Sequence, residues 1–166
     1  MHATPRALLV SLGLVMGAAT AQAAGTVTVA YIQPEKFADV GHSHRDVDDA
    51  LKELTHHFEA LAAKHLVDGQ RLNIEVLDVD LAGEIRPTRR SMQDIRVLKG
   101  GADWPRIKLR YTLEAAGQAP RSAEQSIADM AYLQRIAVAN RGDALHYEKR
   151  MLDEWFGAQF GAAAAR

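Results

Sequence analysis

The spacing of apolar positions changes several times along this chain, and each change predicts an element. In "TVTVAYI", Val27, Val29 and Tyr31 alternate with Thr28 and Ala30, the period of two of a strand with one face on a core, and Pro34 ends it. From Val47 the spacing becomes three and four: Val47, Leu51, Leu54, Phe58, Leu61, Ala62 and Leu66 form one helical stripe. Ser43 with Asp46 resembles a capping box, and Gly69 is expected to cap the C-terminal end. In "QRLNIEVLDVDL" the alternation changes phase. Leu72, Ile74 and Val76 fall on one face, then Leu77, Val79 and Leu81 on the other, so a bulge or burial on both faces is expected.

The basic loop "RPTRR", a short strand at "DIRVL", a turn at Gly100 and Gly101, and Trp104-Pro105 come next. Ile107, Leu109, Tyr111 and Leu113 then alternate with Lys108, Arg110 and Thr112, the pattern of an antiparallel strand with one wet face. "AAGQAP" turns the chain into a partner strand near 121–129, although "SAEQSIADMAYL" also reads as helical. After a break at Asn140 to Gly142, the segment from Asp143 puts Leu145, Met151, Leu152, Trp155, Phe156 and Phe160 on one helical face. The whole predicts an α+β fold: a mostly antiparallel sheet of four to five strands with two amphipathic helices packed on one face.

The N-terminus reads differently. Arg6, the run "ALLVSLGLVMGAA" and the triplet Ala21-Gln22-Ala23 have the three-part pattern of a secretory signal peptide over residues 1–23, cleaved near Ala23. The apolar run is about 13 residues, short of the roughly 20 that cross a bilayer. Residues 24–166 are then a single periplasmic domain, able to bury about two thirds of its unfolded surface. It is expected to be soluble, with no membrane span. The chain has no cysteine, which excludes a thiol nucleophile, a redox pair, Cys-ligated zinc and an N-terminal lipid anchor. Its formal net charge is -1, so charge singles out no partner and disfavours a nucleic-acid role.

Two groups of residues could carry chemistry. His42, His44, His56 and His57 are dense, and Glu53 is three and four positions from His56 and His57 on the helix, giving a candidate zinc or copper site. Against it, adjacent histidines project about 100° apart, no HExxH spacing occurs, and a solvated helix edge explains the same residues. Asp78 and Asp80 share one strand face, with Glu84 beyond Gly83, as a cation site or the carboxylate pair of a cell-wall glycan hydrolase would need. Arg86, Arg89, Arg90 and Arg96 can neutralise all three acids, which favours an ion-pair cluster. "GHSHR" fails the GxSxG serine-hydrolase pattern at Arg45, and no glycine-rich phosphate cradle is present.

Taken in order, "VTVAYIQPEKFADV", "DVDLAGEI", "DIRVLKG", "DWPRIKLRY", "DMAYL" and "YEKRMLDEWF" resemble the family known as domain of unknown function 3016, exported proteins of Gram-negative bacteria. The resemblance implies location and architecture, not an activity. It directs attention to Asp78, Asp80, Gly83, Trp104, Pro105, Glu148 and Lys149, which lie in these runs, and away from "GHSHR". The expected role is non-enzymatic binding or assembly in the cell envelope, on an envelope protein or polymer, with no catalytic residue and no cofactor; the alternative is metal binding by the histidines.

Overall fold

The computed structural model describes residues 25–86, 95–134 and 143–161. The signal-type leader, Arg89 and Arg90, the break at Asn140 to Gly142 and the alanine-rich tail lie outside the described residues. Strands β1 (Thr26–Tyr31), β2 (Arg71–Asp80), β5 (Arg106–Glu114) and β6 (Arg121–Ala128) form one sheet in the order β1-β2-β5-β6, and β3 (Glu84–Arg86) pairs with β4 (Ile95–Val97) in a small second sheet. Helices α1 (His44–His65) and α2 (His146–Phe160) complete the α+β fold.

The main sheet is mixed. β1 runs parallel to β2, because α1 carries the chain back across the sheet between them, whereas β2-β5 and β5-β6 are antiparallel. "DIRVL" does form a strand, but it joins the unanticipated "EIR" of β3 in a separate ribbon and adds no fifth strand to the main sheet. The segment from Arg121 is strand up to Ala128, joined to β5 by a turn in which Gln118 N–H donates to Ala115 C=O at 3.2 Å.

The phase change in β2 is a bulge. Val76 sits opposite Leu109 and Val79 opposite Ile107, so Leu77 is the extra residue that the partner strand does not match. Without it Val79 would point to solvent; with it Leu72, Ile74, Val76 and Val79 stay on one face, all fully buried. The strand therefore does not switch its buried face. Leu51, Leu54, Phe58, Leu61 and Ala62 of α1 and Met151, Leu152, Trp155, Phe156 and Phe160 of α2 join that face and the inward residues of β5 in one core.

Helix α1 starts where the sequence predicts. Ser43 accepts from Asp46 N–H at 3.1 Å while the Asp46 side chain accepts from Ser43 N–H at 3.1 Å, the reciprocal bonds of a capping box. Its C-terminal end departs from expectation: Leu66 caps the helix in an extended conformation, and Gly69, with φ +79°, serves the following turn, where Gln70 N–H donates to Val67 C=O.

The uncovered sheet face carries a lattice of ion pairs. Arg110 bridges Glu75 and Glu124 at 2.9 and 3.2 Å, Lys108 meets Glu124 at 2.9 Å, and Arg106 holds Asp80. Pairs this exposed contribute little stability.

At the end of β2 the chain turns at Gly83, whose φ of +81° lies in the left-handed region. A Cβ here would sit 2.6 Å from Val97 C=O, whereas one at Gly69 would meet nothing. Both Gly→Ala changes impose backbone strain of about 1 kcal/mol or more, and only Gly83→Ala adds a collision with backbone. Gly83→Ala should therefore lose clearly more stability than Gly69→Ala in urea unfolding; equal losses would show that the corner is not tightly packed.

Candidate functional site

The segments that carry the family resemblance meet at this corner. Glu148 is the third residue of α2, on the stripe Leu145, Leu152 and Phe156 that faces the core, and it is 1 % exposed. Its Oε1 accepts from Ala82 N–H at 2.7 Å. Arg96, on β4, donates from Nη1 to Ala82 C=O, also at 2.7 Å. One residue just past the end of β2 is thus gripped at both its backbone polar groups by two ionisable side chains from elsewhere in the chain. Gly83 N–H in turn donates to Asp103 C=O at 2.8 Å, and the Asp103 carboxylate accepts from Lys99 N–H at 2.6 Å.

Beside the clamp lies a pocket of about 370 Å³ lined by Ala82, Arg96 and Leu98 from the β2–β4 region and by Asp143, Ala144, His146, Tyr147 and Glu148 from the start of α2. Its volume falls in the range of roughly 300–1,000 Å³ common to small-molecule sites. One feature sets it apart from ordinary surface relief: Glu148 Oε2 is buried and has no hydrogen-bond partner. Burial pushes the Glu148 carboxyl above its usual range, against the opposing pull of the Ala82 N–H, its own N–H, Arg96 and His146.

The other charges nearby are committed. Lys149 Nζ contacts Asp143 at 2.8 Å and also pairs with Glu53 across the helix interface. Burial works against the Lys149 ammonium, yet these two carboxylates hold it above its usual range. Asp143 also accepts from Leu145 N–H at 2.9 Å, which ties down the entry to α2. The segment "DMAYL" joins from the far side: Arg150 donates to Asp129 at 2.7 Å and to Tyr132 C=O at 2.8 Å, and the Tyr132 ring packs edge-on against Tyr147.

The acids of "DVDLAGEI" are placed apart from the pocket and each has a partner. Asp78 accepts from Ala38 N–H at 2.9 Å, Asp80 pairs with Arg106, and Glu84 contacts Lys99 and Arg86 at 2.6 and 3.1 Å. Lys99 and Arg86 hold the Glu84 carboxyl below its usual range. Asp78 and Asp80 do share the outward face of β2, opposite Lys108 and Arg106. Pro105 is buried and its C=O accepts from Asp129 N–H, while Trp104 is half-buried in the turn into β5.

The histidines and Glu53 are spread over several environments. His57 Nε2 lies 3.1 Å from Lys149 C=O and 3.0 Å from Asp153, both acceptors, so this nitrogen carries the proton and links the helices. His42 Nε2 lies 3.3 Å from Ile85 C=O, and His44 and His56 are exposed. Glu53 is taken by Lys149. Among the described residues, no three His, Asp or Glu side chains gather as a metal ion needs.

The fold and this corner define a small α+β domain in which the N-terminus of one helix meets the end of a bulged strand over a pocket. The chain belongs to the family described as protein of unknown function, DUF3016, which it matches over residues 25–158, from just before β1 to the last turns of α2. Neither a curated protein nor a solved structure matches it.

Glu148 supplies a test of the clamp. Its folded-state pKa is raised, so its contribution to stability is full below the unfolded value of about 4.3 and is lost as pH rises through the folded value. Glu148→Gln keeps an acceptor for Ala82 N–H and cannot ionise. Its melting temperature relative to the parent protein should therefore rise between about pH 4 and pH 8; a difference that stays flat would mean that the carboxyl is not perturbed.

Proposed function

We propose that the protein is a non-enzymatic binding module of the cell envelope, delivered to the periplasm by its N-terminal leader, with the corner pocket as its binding site. The observation that carries this reading is the buried, unpartnered oxygen of Glu148, a residue of the pocket wall. Buried polar groups in folded proteins almost always find a partner, and one left without costs about 1–3 kcal/mol. A carboxyl buried in a pocket wall with one oxygen satisfied by Ala82 and the other unused is poised for a ligand.

The surrounding residues favour holding over reacting. Asp78, Asp80 and Glu84 are engaged in bonds of their own, and Asp143 is held by Lys149 and Leu145, so among the described residues no second carboxylate stands free beside Glu148 to share acid-base work. Leu98 and the ring of Tyr147 give the pocket an apolar wall against which a ligand's carbon skeleton can pack.

Two measurements test this. Expressed in a Gram-negative host, the protein should appear in the periplasmic fraction with its mature N-terminus at Ala24; retention in the cytoplasm at full length would overturn the location. In a thermal-shift screen of small acids, amines, zwitterions and sugars, a true ligand at 100-fold excess over its Kd should stabilise by about 2.7 kcal/mol. No response to any class would remove the pocket as a binding site.

A further inference from the structure

We infer that the corner pocket takes a small organic carboxylate, received by the Arg96 guanidinium, the first turn of α2 and the unpartnered oxygen of Glu148 acting as a hydrogen-bond donor. This rests on the binding reading above and narrows it to one ligand chemistry.

The argument is a count of donors and acceptors. His146, Tyr147 and Glu148 are the first three residues of a 15-residue helix, where backbone N–H groups lack intrahelical acceptors and the helix dipole is positive. No side chain caps this end, since the N-cap residue is Leu145. Arg96 lines the same pocket and adds a full positive charge. A helix N-terminus alone would say little, but here the buried side chain in the wall, Glu148, has an unused oxygen.

The charge state of that oxygen decides the ligand. The groups facing Glu148 are Ala82 N–H from the end of β2, Arg96 from β4, and His146 and its own N–H from α2. Burial outweighs them and favours the neutral acid. With Oε1 accepting from Ala82, the proton belongs on Oε2, which then offers an O–H. A carboxylate ligand can accept from that O–H, from Arg96 and from the helix end together. An amine would need Glu148 ionised in a buried wall and would meet the Arg96 charge. Asp143, the other acid that lines the pocket, already accepts from Lys149 and Leu145.

Calorimetric titration of the full-length mature protein with butyrate, an N-acetylated dipeptide with a free carboxyl end, butylamine and butyramide provides the test. Butyrate or the dipeptide should bind, the tighter of the two showing whether a free acid or a peptide end is the source, and butylamine should not. Affinity for the carboxylate should fall about tenfold per pH unit above the folded pKa of Glu148. Glu148→Gln, which keeps a donor and an acceptor, should bind it with that pH dependence gone. Preference for butylamine, affinity that rises with pH, or loss of binding in Glu148→Gln at low pH would overturn the inference and leave a binding module of another specificity. Silence of all four probes together with the acids, amines, zwitterions and sugars of the thermal screen would overturn both readings.

Discussion

Two hydrogen bonds to one residue hold the ends of this fold together. Ala82 donates to Glu148 of α2 and accepts from Arg96 of β4, so a single backbone position joins the last strand residues of β2, the small ribbon and the terminal helix. Both bonds involve charged or ionisable groups and one is fully buried, which makes them stronger and less replaceable than the surface pairs on the open sheet face. The Gly83 turn, bonded to Asp103, and the start of α2, tied by Asp143 to Leu145, flank this clamp with bonds of their own.

Much of the fold was legible in the sequence because its periods are clean. The α1 stripe, the capping box and the alternation of β5 come from local chemistry that the tertiary structure leaves unchanged. The β2 phase change announced an irregularity, but two outcomes fitted the same letters, and only the register with β5 distinguishes a bulge at Leu77 from a strand buried on both faces. The parallel pairing of β1 was not legible at all. Strand direction depends on which neighbour a strand finds, and the sequence of β1 alternates in the same way for either.

The site was half legible. The family resemblance placed "DVDLAGEI", "DIRVLKG" and "YEKRMLDEWF" among the segments to watch, and they do converge. Attention to the acids of the first segment was misplaced as far as a pocket is concerned, since Asp78 and Asp80 point to the wet face and Asp80 finds Arg106 from a different strand. Arg96, whose sequence position near Asp78, Asp80 and Glu84 suits it to neutralise carboxylates, donates to the Ala82 carbonyl. A signal for Glu148 was nevertheless present: it is the one acid on the stripe Leu145, Leu152 and Phe156, and an acid at a core-facing helical position calls for a buried partner.

The parallel β1-β2 pair also fixes the order in which the molecule can assemble. On a chain made from its N-terminus, β1 has no sheet to join until α1 and β2 have followed, and β2 waits in turn for β5. The inward face of β5 then stays open until α2, made after it, covers it. Such distant pairings are slow to form and expose unpaired edges while they wait. Glu148 arrives with α2, so the bond that closes the corner forms only after β2, the ribbon and β6 have been made.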